Sequence, residues 1–448
     1  MASKPVQQLS LFDSTSLIVG IIIGVGIYQM APEIARGAGG GWGLAGLWAL
    51  GGLISLGGAL CYAELASAYP QAGGDYVYLG RAYGKWAGFL FGWAQLAIVR
   101  PGDIAVIAFA FATYAAAIYD PLAGTAFPYA QEVYAVTATI ALTGINVLGV
   151  HQGKWTQNLL TAAKVLGLLL LAAAALMAQP GGAPAERAGP LPFSLALIFV
   201  LFTYGGWNEM AYVAAEVRDP RRNIARALVV GLGVVTAVYL LVNGAFLRAL
   251  GYEGLAASGA AAADTMRAVW PGVGGGLISL LICISALGAL NGLIFTGARI
   301  SYAVGSDHRL FHWLGRWHPR LGTPAVALLL QGAIAVVLLI VLGSFVNAVL
   351  YTAATVYSFY LASTLAVIVL RFKEPGVERP CPVWGYPWVP LAFAGVCAFL
   401  IYSAVVYKPA IAAVSGALLL LGLPLWRWSQ RLGALTQFRA KDGGGGGS

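Results

Sequence analysis

Two glycine clusters set inside long apolar runs are the residues here best suited to chemistry. The first is Gly20-Ile-Ile-Ile-Gly24-Val25-Gly26-Ile27-Tyr28, and the second, about 180 residues later, is Phe202-Thr203-Tyr204-Gly205-Gly206-Trp207-Asn208. Glycine costs about 1 kcal/mol against alanine in a helix interior, so neighbouring glycines favour local unwinding. In a hydrocarbon environment the N–H and C=O groups so released find no water, and something polar must meet them. Unpaired N–H groups at the start of a half-helix suit a carboxylate, and free carbonyls suit an ammonium group. A zwitterionic α-amino acid carries both charges. Gly24, Val25, Gly26 and Ile27 are therefore candidate carboxylate donors. The carbonyls of Ile22, Phe202, Thr203 and Tyr204 are candidate ammonium acceptors, with Gly205 allowing close backbone approach. Phe202, Tyr204, Trp207 and Asn208 would line a side-chain pocket, and Phe202 could close over its occupant. The plainer alternative is that the glycines let helices pack closely and the aromatics belong to the core.

Charged residues within the apolar runs come next. Lys164 lies in Thr161-Ala-Ala-Lys164-Val-Leu-Gly, and an ammonium at membrane depth is a functional hypothesis by default. It could snorkel to the interface, or it could bond the freed carbonyls of the first run, standing where a coupled system would place a sodium ion. Arg100 and Asp103, three residues apart, can face each other on one helix, and Pro101 between them would kink it. Glu64, with Glu216, Arg218 and Asp219, could form ion pairs of an inner gate or be solvated loop charge. Ser279 and Ser285 could supply hydroxyl ligands to a coupling cation, and Asp103 or Glu64 could carry a proton. The four cysteines (Cys61, Cys283, Cys381, Cys397) form no CxxC pair, and the four histidines all fall in predicted loops. Neither set suggests a disulfide framework, a metal site or another cofactor, and the sequence shows no acid/base cluster of an enzyme.

The elements that position these residues follow from composition. The chain of 448 residues is 59% hydrophobic and 10% charged, against roughly 25% charged in a soluble domain. Its apolar residues come in blocks near the roughly 20 residues of a membrane helix. The blocks predict helices at 10–37, 41–67, 86–118, 130–149, 156–178, 192–216, 225–249, 274–304, 323–342, 345–370, 386–406 and 408–427. The expected partner is a lipid bilayer, with no cleavable leader. Two of the 26 Lys and Arg, Arg100 and Lys164, fall within helices. Five (Arg36, Arg187, Arg248, Arg267, Lys408) fall on one side and the rest on the other, which places both termini in the cytoplasm by the positive-inside rule. The net charge of +9 is thus topology, not nucleic-acid binding. Residues 1–441 read as one transmembrane domain, with possible inverted repeats at 10–178 and 192–370 and two appended helices at 386–427. Residues 442–448 read as an appended Gly-Ser linker.

Several ordered motifs resemble the amino acid–polyamine–organocation superfamily, and within it the L-type amino acid transporter branch with its bacterial alanine-serine-cysteine exchangers. They are Gly24-Val-Gly-Ile-Tyr28, Tyr62-Ala-Glu-Leu65, Tyr69-Pro-Gln-Ala-Gly-Gly-Asp-Tyr76, Ile98-Val-Arg-Pro101 and Phe111-Ala-Thr-Tyr114. They continue as Tyr204-Gly-Gly-Trp-Asn208, Glu216-Val-Arg-Asp-Pro-Arg-Arg-Asn-Ile224, Ala298-Arg299 and Gly322-Thr-Pro324, about 300 residues in order. The resemblance implies an all-α membrane fold of twelve helices, a LeuT-like five-plus-five inverted repeat with discontinuous helices one and six. It also implies alternating access, sodium-independent exchange of neutral L-amino acids, and location in the cell's inner (plasma) membrane. Lys164 matches the family's helix-five lysine tied to sodium independence, and Phe202 its aromatic gate. Two departures stand out. Val25 replaces a common serine, removing one hydroxyl from the carboxylate site. The stretch Tyr119–Gln131 has no cysteine, so no disulfide-linked ancillary glycoprotein is expected. Coupling to protons or sodium in the same fold is the alternative reading.

Overall fold

The computed structural model describes residues 9–70, 73–120, 129–149, 154–177, 189–213 and 217–442, and these form a helical bundle. The first apolar run is not one helix. α1 (Leu11–Ile22) opens on a reciprocal cap, in which the Ser10 hydroxyl accepts from the Asp13 N–H and the Asp13 carboxylate accepts from the Ser10 N–H. It stops at Ile22. Ile23 is extended (φ −72°, ψ 92°), and the helix resumes as α2 (Gly26–Gln29), continuing through Met30 into α3 (Ala31–Ala38). α4 (Gly41–Ala68), α5 (Asp75–Tyr83) and α6 (Lys85–Ala94) follow. A π-helical turn at Gln95–Val99 joins α6 to α7 (Arg100–Ile118). α8 (Ala130–Val147) and α9 (Lys154–Met177) lead to the second interruption. There α10 (Phe193–Thr203) ends, a 3-10 turn spans Trp207–Glu209, and α11 (Met210–Val213) resumes.

The remaining helices are α12 (Pro220–Ala257), α13 (Ala261–Val269), α14 (Gly274–Asp307), α15 (Ala325–Leu342), α16 (Phe345–Lys373), α17 (Trp388–Tyr407) and α18 (Pro409–Asp442). α12 begins five residues before the expected Ala225 because Pro220 occupies its first turn, where a missing N–H costs nothing. α5 and α13 were not expected, since nine residues of mixed polarity give no membrane signal.

Among the described residues, nine helical stretches are long and apolar enough to cross a membrane. The other expected spans fall short for identifiable reasons. α8 carries Gln131, Glu132 and Asn146 within 18 residues, and α10 is cut at 11 residues by the break; the described apolar part of α9 is Lys164–Met177. α1 packs along α12, α12 against α4, and α7 against α14, while α10 sits against α3, α4 and α17. The two interruptions therefore meet in the middle of the bundle.

Where α4 and α16 finish, a polar clasp closes the bundle. Glu64 is 2% exposed; it was expected to pair with Arg218 or to be solvated, and it does neither. Arg371 holds its two oxygens at 2.8 and 2.6 Å, Arg379 approaches at 3.4 Å, and the Val383 N–H donates at 2.7 Å. The sequence hid this because the partners lie some 300 residues away. Glu216 lies outside the described residues. Beside the Glu64 cluster, Glu374 accepts from Arg81 at 2.8 Å and from the Tyr69 hydroxyl at 3.1 Å. The Arg81 bond holds the Glu374 carboxyl below its usual range.

Replacing Glu64 by Ala leaves two guanidinium groups facing a buried, empty position. Breaking a buried pair costs about 3–5 kcal/mol; with both arginines part-exposed, the lower end is expected. Thermal melting of the detergent-solubilised protein checks this, and an unchanged midpoint contradicts it. The Glu374 contribution has the sign of a depressed carboxylate. It is present above the ordinary glutamate value of about 4.3 and is lost as pH falls through the lowered one. Melting curves recorded against pH should accordingly show a loss on the acid side that Glu374→Gln abolishes.

Candidate functional site

The two interruptions lie against each other, and glycine is what lets them. A Cβ added at Gly26 would stand 3.3 Å from the Thr203 side chain. One at Gly206 would stand 2.8 Å from Ile21 Cγ2, and Gly206 also adopts φ +109°, a region closed to most side chains. At Gly205 a Cβ would stand 2.9 Å from the Phe202 carbonyl oxygen, so both glycines of the pair are restricted, and Gly206 by its φ as well; the sequence did not distinguish them.

The freed carbonyls have specific partners. The Tyr239 hydroxyl of α12 lies 3.0 Å from the Ile22 carbonyl and 3.0 Å from the Thr203 carbonyl. It has one proton, shared between both acceptors. Tyr239 is fully buried among the Trp48 and Tyr204 rings. Lys164 was expected to bond the carbonyls of the first run, yet the group that reaches Ile22 is Tyr239. The reason is packing, since α1 runs along α12; Lys164 sits part-buried on α9. Tyr239 was missed because one tyrosine in an apolar run reads as an interface residue.

A second carbonyl is freed by proline. Pro32 has no N–H to give the carbonyl four residues back, which belongs to Tyr28, and there the Tyr114 hydroxyl donates at 3.2 Å. The same happens in the third run. Pro101 leaves the Ala97 carbonyl without its helical donor, and the Tyr351 hydroxyl of α16 reaches it at 3.4 Å. Ala97 lies in the π-helical turn.

The N–H groups differ. Among the described residues, none of the backbone hydrogen bonds outside the helices is donated by Gly24, Val25, Gly26 or Ile27, and Tyr28 is the first to bond back, to Val25 at 3.1 Å. Val25 and Ile27 side chains are buried, while Gly24 is part-exposed. A Cβ at Gly24 would meet nothing nearer than the Ile22 carbonyl oxygen at 4.0 Å. The Gly24 face therefore opens onto free space.

The aromatic residues divide. Phe202 is part-exposed at the edge of the break, and its carbonyl accepts the Gly205 N–H at 2.9 Å. Tyr204 was expected to line a pocket, but it is fully buried. Its hydroxyl donates to the Trp48 carbonyl at 2.9 Å and its ring lies over Gly51 and Gly52 of α4. Trp207 likewise turns into the core, against Tyr62, Tyr360 and Phe393. Phe202, Gly205, Gly206 and Asn208 keep part of their surface exposed, and Asn208 Oδ1 accepts the Tyr360 hydroxyl at 3.0 Å. Thr203 is buried with its hydroxyl on the Phe199 carbonyl at 2.8 Å. Arg100 lies close enough to act on the charge of Asp103, its expected neighbour, and also forms an ion pair with Glu209, at 3.3 Å, just past the second break.

Nine apolar spans among the described residues and two helices broken face to face fit a polytopic membrane protein of the transporter class. The chain belongs to the amino acid permease family, whose model matches residues 9–422. It is 31% identical over 414 residues to the human b(0,+)-type amino acid transporter 1, covering 90% of this chain and 83% of that one. To the human large neutral amino acids transporter small subunit 2 it is 32% identical over 434 residues, covering 94% and 80%. To the mouse Asc-type amino acid transporter 1 it is 31% identical over 435 residues, covering 94% and 80%.

Tyr239→Phe removes the one donor shared by two buried carbonyls, a loss of about 1–3 kcal/mol. Gly206→Ala adds a clash and a strained φ. Both should lower the melting midpoint of the solubilised protein, whereas Gly24→Ala, which has room, should leave it in place.

Proposed function

We propose that this protein exchanges neutral L-amino acids across the plasma membrane without sodium, by alternating access. The observation that carries this reading is the set of unbonded N–H groups at Gly24, Val25, Gly26 and Ile27, opening onto free space at Gly24. They receive the substrate carboxylate, and the absence of a serine hydroxyl at Val25 leaves the backbone donors to do so alone. The ammonium group goes to the Tyr204 carbonyl and to the second lone pairs of the Ile22 and Thr203 carbonyls, which Tyr239 leaves open. Phe202 covers the site, and Gly205 and Asn208 border the space for the substrate side chain. The names of the relatives support amino acid substrates, and two of the three carry neutral or Asc-type labels.

Lys164 takes the part of a sodium ion in this scheme. A fixed ammonium on α9, half-buried, supplies the charge a coupled transporter recruits from solution. Adding α8, α9 and the broken α10–α11 segment to the nine apolar spans of the described residues supports a twelve-helix, LeuT-like arrangement. The basic surplus of the sequence puts the termini in the cytoplasm. Tyr119–Gln131 has no cysteine, which supports a chain that works without a disulfide-linked glycoprotein.

Proteoliposomes test this directly. Uptake of labelled alanine, serine or leucine should require amino acid on the opposite side and proceed without a sodium gradient; strict sodium dependence overturns the reading. Lys164→Ala is expected to slow uptake strongly. Gly24→Ala keeps its N–H but sets a methyl group in the free space where the carboxylate approaches, so it should raise the half-saturation concentration with the melting midpoint unmoved.

A further inference from the structure

Asp75, the first residue of α5, is 2% exposed and has no part in the site as built so far. Its Oδ1 accepts the hydroxyl of Tyr62 from α4 and, at 2.6 Å, the hydroxyl of Ser363 from α16. A carboxylate in so dry a place needs such donors, and bonds to a charged acceptor are the stronger kind. The interaction does not stop at Tyr62. The other face of this phenol makes edge contacts with Trp207 (5.2 Å, 84°) and Tyr360 (6.1 Å, 86°). Trp207 and Tyr360 pack on each other at 5.1 Å, and the Tyr360 hydroxyl donates to Asn208 Oδ1 at 3.0 Å. Gly58, one turn before Tyr62 on α4, clears the way, since a Cβ there would stand 2.8 Å from the Trp207 ring.

Carboxylate, phenol, indole, phenol and amide thus form an unbroken line from α5 to the second helix break. Each link has a defined geometry. Trp207 is the first residue after the left-handed Gly206, so its ring direction and the path of the unwound backbone are set together. We propose that Asp75 is a positioning residue for the amino acid site. By fixing the Tyr62 hydroxyl it sets the Tyr62 ring, and through Trp207 and Tyr360 it holds Asn208 and the inner wall of the break in their binding arrangement. This rests on the reading of the breaks as the substrate site.

A double-mutant cycle in proteoliposomes tests it, with labelled alanine or leucine as the probe, whichever the unaltered protein takes up. Asp75→Ala and Tyr62→Phe are each expected to raise the half-saturation concentration about tenfold, the worth of one bond to a charged acceptor. If Asp75 acts through Tyr62, the double variant is no worse than either single one. Asp75→Asn, which keeps an acceptor oxygen, should stay within about threefold of the unaltered protein. Additive effects overturn the inference. So does a lowered melting midpoint with an unmoved half-saturation concentration, which marks Asp75 as a structural brace. Should Asp75→Ala fail to fold, the cycle built from Asp75→Asn and Tyr62→Phe decides, because a residual Asn effect must vanish once the Tyr62 hydroxyl is gone. No uptake by the unaltered protein would overturn the transport reading itself, before any variant is compared.

Discussion

Hydrocarbon offers a peptide group nothing to bond, so each place where a helix opens inside the bundle must supply its own replacement donor or acceptor. The two openings here are met in opposite ways. Carbonyl oxygens are answered by the protein, through tyrosine hydroxyls brought in from other helices: Tyr239 for Ile22 and Thr203, and Tyr114 for Tyr28. Backbone N–H groups from Gly24 to Ile27 are left to be answered from outside the chain. That asymmetry is what assigns the carboxylate to the first break in the proposed function.

Proline and tyrosine act as a pair in this design. Pro32 and Pro101 each remove one helical hydrogen bond, and in each case the orphaned carbonyl meets a phenol from a distant segment. A phenol is well suited to the task. Its ring supplies apolar surface on a long reach, and its single hydroxyl satisfies one acceptor without bringing a charge into the interior. The proline distorts the helix and the tyrosine fixes the distortion in one geometry. The π-helical turn before Arg100 is such a place, and it sets the register from which Arg100 reaches Glu209.

Charge is handled differently at the two levels of the bundle. At the end where α4 and α16 finish, Glu64 and Glu374 are surrounded by Arg371, Arg379 and Arg81 in bonds that tie chain segments about 300 residues apart. Nearer the breaks, Arg100, Asp103 and Glu209 lie close enough to act on one another's charge. Asp75 is held by hydroxyls, and Glu209 by one guanidinium. The resulting interior is polar where backbone is exposed and aromatic elsewhere, with glycines on α4 marking where Tyr204 and Trp207 press against it.

The sequence alone determined the solvent of this protein, the apolar runs and the two points at which they open. Those properties are local: hydrophobic blocks follow from composition, and adjacent glycines weaken a helix wherever it sits. It also carried the ordered motifs of the permease family. What only tertiary structure decided was which groups answer the openings. Tyr239 took the carbonyl role expected of Lys164 because α12, not α9, lies along α1. Tyr204 and Trp207 turned into the core because Gly51, Gly52 and Gly58 left room for their rings there. Glu64 found Arg371 across 307 residues, and Asp75 found Ser363 across 288. Side-chain direction and long-range pairing depend on how helices cross, and no spacing along one chain encodes that.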